Sequence, residues 1–264
     1  MLVLNNGEYT GEIIQRREID GSTITNTLYS ERANNPDWHY HENLHICLVF
    51  QGGKAETKNK ALYTARDGSI FFYHAEEMHR WISNGTASRS ANIEINQEFL
   101  CKYEIDELSI KNALATNVSA KTLMLKMQNE LSFEDQNSES SLQTLLLDLI
   151  GTAAVDNYTI LPNWVKVLRQ LLHDQWNTTL NLSEIAVIVG AHPVTISKNF
   201  KKYFGCTLGE YQRRLKIEKS IDLIKKPELS LSEVAFFCGF SDQSHFIRNF
   251  KALTGFRPKD YRKF

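Results

Sequence analysis

The last part of the chain repeats itself, and that repeat limits the possible folds more than any other feature. Leu182-Ser183-Glu184-Ile185-Ala186 matches Leu231-Ser232-Glu233-Val234-Ala235, and Gly190 matches Gly239, all at an offset of 49. After one inserted residue the offset is 50: Phe200-Lys201 matches Phe250-Lys251, Gly205 matches Gly255 and Tyr211 matches Tyr261. Each copy reads as a short helix with an apolar face, a glycine suited to a left-handed turn, and a second amphipathic helix. Two helices joined in this way make a helix-turn-helix. Ser183 and Ser232, each followed by a glutamate, are the expected helix starts.

Such second helices suit the major groove of DNA, where residues near the N-terminal end face base edges. In the first copy Ile196 and Phe200 fall inward, leaving Val194, Ser197 and Lys198 outward behind Pro193. In the second, Phe246 and Phe250 fall inward and Gln243, Ser244, His245 and Arg248 outward. Gln and Arg match adenine and guanine edges, and Val194 matches a thymine methyl. Lys201, Lys202, Lys251, Arg257 and Lys259 stand where phosphate contacts are expected. The helix-forming stretch from Leu208 to Lys226 spans somewhat under ~30 Å at ~1.5 Å per residue. It would hold two recognition helices near one DNA turn apart, ~34 Å.

Charge agrees. Residues 162–264 carry 17 Lys and Arg against 9 Asp and Glu, a net of +8. The remainder carries 13 against 22, a net of −9, which the overall −1 conceals. The split predicts two bodies, the basic one suited to a polyanion. A purely structural helical bundle is the alternative, and it leaves the outward polar residues unexplained.

Residues 163–264 resemble the DNA-binding domain of the AraC/XylS family of bacterial transcription regulators. The resemblance is carried by Leu182-Ser-Glu-Ile-Ala-Val-Ile-Val-Gly, by Ser232-Glu-Val-Ala-Phe-Phe-Cys-Gly-Phe-Ser-Asp-Gln-Ser-His-Phe-Ile-Arg-Asn-Phe-Lys, and by Gly255-Phe-Arg-Pro-Lys-Asp-Tyr-Arg. It implies seven helices, with two helix-turn-helix subdomains joined by a long helix, and it places the same seven outward residues at base-reading positions. Pro193 and the small Ser197 depart from the commoner first-helix pattern. The family also implies a small-molecule effector, RNA polymerase as a partner, a homodimer and activation of transcription.

The first hundred or so residues read as short strands broken by Asp20-Gly21, Gly52-Gly53, Asp67-Gly68 and Asn84-Gly85. The expected fold is therefore multidomain α+β. A cupin- or jelly-roll-like antiparallel barrel over 1–115 precedes a helical dimerisation or linker segment over 116–156, and an all-α double helix-turn-helix follows over 157–264. Met124, Met127 and Leu131, then Leu142, Leu145, Leu146, Leu149 and Ala153, recur at helical spacing around the polar stretch Glu134 to Ser140. They would either pack on the barrel or form a dimer surface. Asp156 to Pro162 is the expected linker.

Histidines cluster in the barrel. His39 and His41 share a strand face, His45 has the same parity, and His79 follows Asp67-Gly68-Ser69-Ile70-Phe71-Phe72-Tyr73. The pattern resembles the two cupin motifs, with His45 at the acidic position and no proline before the last histidine. Two readings stand: a divalent transition metal on His39, His41, His45 and His79, or an effector pocket that these histidines line together with Trp38, Tyr73 and Trp81. DNA binding itself requires no cofactor.

Cys47, Cys101, Cys206 and Cys238 lie far apart and suit reduced thiols. No run of ~18 apolar residues suggests a membrane span, and the N-terminus lacks signal-peptide character. A bacterial cytoplasmic protein is expected, with no membrane partner. No Ser-His-Asp arrangement, Walker loop or Gly-x-Gly-x-x-Gly occurs, so no enzyme is expected.

Overall fold

A computed structural model of the chain describes residues 2–31, 37–52, 54–58, 61–83, 85–133, 135, 137–151 and 161–264. Two compact units make it up: Met1–Ala154 with Lys263–Phe264, and Val155–Arg262. Most of the expected linker, residues 156–160, lies outside the described residues, as does Ala153.

The first unit begins with strands β1 Leu2–Leu4, β2 Glu12–Ile19, β3 Ser22–Tyr29, β4 His39–His41, β5 Leu44–Gln51, β6 Lys54–Lys58, β7 Ala61–Ala65, β8 Ile70–Tyr73, β9 His79–Ser83 and β10 Ser88–Ile95. They form two five-stranded sheets, ordered β1-β4-β9-β6-β7 and β2-β3-β10-β5-β8. Every pairing is antiparallel except β1 on β4. The β2–β3 hairpin turns at Asp20 and Gly21, with φ of 47° and 75°. Two positive φ angles define the tight turn whose twist matches that of the flanking strands. Asp20 also pins the turn to the helices. It accepts from Lys102 Nζ and Tyr103 OH at 2.6 Å and from Gln143 Nε2 at 3.0 Å. Lys102 first, then Tyr103, holds its carboxyl below the usual range.

Helices begin earlier than the patterning indicated: α1 Gln97–Lys102 and α2 Glu107–Thr116 precede α3 Ala120–Glu130 and α4 Ser138–Ile150. Leu142, Leu146 and Leu149 are buried inside this unit, which corrects the dimer-surface alternative for them. Their apolar stripe is already spent on α3, α2 and β2.

The second unit holds α5 Asn163–Asp174, α6 Leu182–Val189, α7 Pro193–Phe204, α8 Leu208–Ile224, α9 Leu231–Phe237, α10 Gln243–Thr254 and α11 Pro258–Tyr261. Reciprocal caps start α6 and α9, but on Asn181 and Ser230, two residues before the expected Ser183 and Ser232. The geometry explains the shift. A capping side chain must reach the backbone N–H three residues on, and that N–H belongs to Glu184 or Glu233. Each second helix then buries an i, i+4 pair, Ile196 with Phe200 and Phe246 with Phe250. Phe200 meets Tyr211 at 5.9 Å, and Phe250 meets Tyr261 at the same distance. The repeat in sequence is thus a repeat of two small cores. No helix among the described residues is long and apolar enough to cross a membrane.

The two turn glycines differ in their surroundings. Gly190 has φ 66° and open space around a would-be Cβ. Gly239 has φ 71°, and a Cβ there would strike the carbonyl oxygen of Asn177. Gly190→Ala should therefore cost only the left-handed strain, about 1–2 kcal/mol, while Gly239→Ala adds backbone overlap worth a further ~1–3 kcal/mol. Chemical denaturation of the two variants checks this, and equal losses would overturn the assigned packing.

Candidate nucleic-acid interface and histidine pocket

Both recognition helices follow a left-handed glycine and start on a side-chain cap. His192 Nδ1 accepts from Val194 N at 3.3 Å ahead of α7, and Asp242 Oδ1 accepts from His245 N at 2.7 Å ahead of α10. Because the buried pairs occupy one face, Val194, Ser197, Lys198, Gln243, Ser244 and Arg248 are exposed on the other. Thr195 joins them, a position the patterning passed over. His245 is only half-exposed, since its ring packs edge-on against Phe240 at 5.4 Å. Ser232 Oγ donates to Gln243 Oε1 at 2.9 Å, so the first helix of that pair orients a side chain on the second.

Lys201, Lys202, Lys251, Arg257 and Lys259 are all exposed. Two other cations of the basic count serve inside the unit. Lys216 Nζ donates to Thr179 Oγ1 at 3.0 Å and to the Gly239 carbonyl at 2.9 Å, and burial holds its pKa below the usual lysine range. Arg262 donates to the carbonyls of Ile224 and Leu229, both at 2.8 Å.

The histidine pocket lies between the two sheets. His39 and His41 come from β4, and His79, the register partner of His39, comes from β9 of the same sheet. His45 belongs to β5 of the opposite sheet, because the chain crosses over at Glu42 and Asn43. Trp81 and Tyr73 also line the cavity, and Trp81 Nε1 donates to Thr10 Oγ1 at 2.9 Å. Burial, then the carboxylate of Glu56, pushes the Tyr73 phenol well above its usual pKa. Trp38 does not line the pocket, a correction that follows from the strand period. Its neighbour His39 points in, so Trp38 points out, where the Arg80 guanidinium lies 5.3 Å from its ring centroid.

Ligand atoms of His39, His41 and His79 lie within 4.8 Å of one another, all three residues being buried. Each ring is anchored through Nδ1: His39 on the Asp37 carbonyl at 3.0 Å, His79 on the Glu77 carbonyl at 2.9 Å, and His41 on Glu94 Oε1 at 3.2 Å. A carbonyl only accepts, so His39 and His79 carry the proton on Nδ1 and the lone pair on Nε2. His45, the fourth candidate ligand, lines the same pocket from the opposite sheet but is not in this set of three. Its Nε2 donates to Asn92 Oδ1 at 3.1 Å, and Asn92 donates in turn to Thr25 and Thr27. Glu94, Glu56, Tyr9 and Asn92 were not legible as site residues, since no motif or spacing sets them apart from the other polar residues around them.

Residues 185–263 match a family described as a helix-turn-helix domain, a span that includes both recognition helices. The chain is 22% identical over 245 residues to the HTH-type transcriptional activator RhaS of Shigella sonnei, covering 85% of this chain and 87% of that protein. RhaS of Escherichia coli shares the same identity and coverage. Two solved structures are similar. ToxT from Vibrio cholerae is 13% identical over 92% of this chain and 98% of that one, with a TM-score of 0.38. The C-terminal domain of AraT, a response regulator from Geobacillus stearothermophilus, is 26% identical over 40% of this chain and 88% of that one, with a TM-score of 0.37.

The anchoring bonds have a direct spectroscopic consequence. Long-range proton–nitrogen NMR at neutral pH should show His39 and His79 as Nδ1–H tautomers and His45 as Nε2–H. An Nε2–H signature at His39 or His79 would contradict the ring orientations.

Proposed function

We propose that this chain, a helix-turn-helix DNA-binding transcription regulator of the AraC type, reads two adjacent major-groove segments with α7 and α10 in response to an effector held by its N-terminal unit. The carrying observation is the duplicated core, which twice buries one helix face and twice presents the other to solvent. Val194, Ser197 and Lys198 would meet bases in one segment, and Gln243, Ser244 and Arg248 in the next, with His245 contributing from its seat on Phe240. Lys201, Lys202, Lys251, Arg257 and Lys259 would hold phosphates and set the register. The α8 helix, 17 residues and so about 26 Å long, separates the two readers by a distance compatible with neighbouring turns of one duplex face.

Regulation in this reading is a difference of affinities. An effector that binds one arrangement of the protein more tightly shifts the population towards it, and with it the affinity for DNA. Lined by His39, His41, His45, Tyr73, His79 and Trp81, the pocket is the effector site of this proposal. RhaS is described as a transcriptional activator, which supports activation here, through contact with RNA polymerase and as a homodimer in the cytoplasm. The reading assigns no catalytic role to the pocket and no cofactor to DNA binding.

Selection from a random duplex pool with the full-length protein tests it. A motif of two elements about one turn apart is expected, and the absence of any enrichment would overturn the reading. On the selected site, Arg248→Ala should cost ~1–3 kcal/mol more than on random DNA, whereas Lys251→Ala should weaken both alike. Equal losses for Arg248→Ala would remove it from the base-reading set.

A further inference from the structure

We propose that the effector is itself a divalent transition-metal ion of the zinc, cobalt or nickel class, bound by His39, His41 and His79. This rests on the reading of the N-terminal unit as the sensing part of the regulator. The donor set is the first argument. Three buried imidazoles from neighbouring strands bring ligand atoms within 4.8 Å of one another. Nitrogens at ~2.0–2.1 Å around a tetrahedral ion stand about 3.4 Å apart, so the set closes by an inward shift of under about 1 Å at each ring. Imidazole donors suit zinc, copper and nickel, whereas magnesium, calcium and manganese prefer oxygen.

Orientation is the second argument. Each of the three rings is held through Nδ1 by an oxygen outside the cluster, two backbone carbonyls and the Glu94 carboxylate. The two carbonyls leave Nε2 as the lone-pair nitrogen of His39 and His79, and all three supports restrain the rings, as the supports of metal-bound histidines do. Glu94, fully buried, is itself held by the Gly7 N–H at 3.1 Å. Nothing in a purely structural histidine cluster requires three rings to be tethered through the same nitrogen around one cavity.

Size is the third. The cavity offers about 20 Å³ to the centre of a water-sized sphere. One water or one ion needs at least about 10–15 Å³ by that measure. A single ion therefore fits the pocket as it stands.

Full-length protein titrated with Co²⁺ and followed by its visible d–d absorption, with Zn²⁺ competition and calorimetry, reads ion binding without reference to DNA. One Co²⁺ per chain is expected, displaced by Zn²⁺ and not by Mg²⁺. His79→Gln should abolish the bands, Glu94→Gln should weaken binding ~10–100-fold by removing the His41 support, and His74→Ala, outside the pocket, should change nothing. Circular dichroism confirms that each variant is folded. Absence of Co²⁺ bands in the wild type, or their persistence in folded His79→Gln, would overturn the site. Binding of the selected duplex is then compared with and without Zn²⁺. An at least tenfold change, lost in His79→Gln, is expected, and duplex binding indifferent to Zn²⁺ would overturn the effector role. Failure to bind any duplex in either state would instead overturn the DNA-reading function and leave the ion measurements standing.

Discussion

Two apolar side chains four residues apart on each second helix decide what the C-terminal unit can do. Once Phe246 and Phe250 are buried, the 3.6-residue period leaves Gln243, Ser244 and Arg248 no face but the outer one. The same holds for Ile196 and Phe200 against Val194, Ser197 and Lys198. The left-handed glycines and the His192 and Asp242 caps serve this burial, because they fix where each second helix starts and therefore which residues fall on which face. Which residues face outward thus follows from which ones the core takes, through the helix period.

Cations in this unit have two roles that charge counting merges. Lys216 and Arg262 spend their donors on backbone carbonyls, closing the second turn and tying the chain end to α8. Gly239 is the meeting point, with a carbonyl that accepts Lys216 and no room for a Cβ beside Asn177. Lys201, Lys202, Lys251, Arg257 and Lys259 are instead exposed. The net of +8 is therefore a statement about the unit, and only part of it is available to a polyanion.

The N-terminal unit applies the other period. Alternation along β4 turns His39 and His41 into the space between the sheets and sends Trp38 and Tyr40 outward. Register does the rest, by setting His39 opposite His79. A polar interior is costly unless its groups are bonded, and here the bonding is systematic: carbonyls for two rings, Glu94 for a third, Asn92 for the fourth. His39 and His79 share one tautomeric sense and His45 has the other.

Local signals determined much of this protein. The repeat, the glycine offsets and the aromatic spacing specify two helix-turn-helix units and their outward residues, because helix periodicity and left-handed turns act over a few residues. Asp20-Gly21 likewise specifies its hairpin. Tertiary structure alone decided what depends on distant partners. Leu142, Leu146 and Leu149 have a stripe that suits a dimer as well as a core, and only packing assigns it to the core. The polar strand β6 carries too little alternation to be seen, and it exists because β7 and β9 flank it. His45 shares the parity of His41 yet lies in the other sheet, since a two-residue crossover is invisible to a period of two. Glu94, more than fifty residues from His41, becomes its partner only when β10 folds alongside β5. Sequence fixes the faces of elements, and the fold fixes which faces meet.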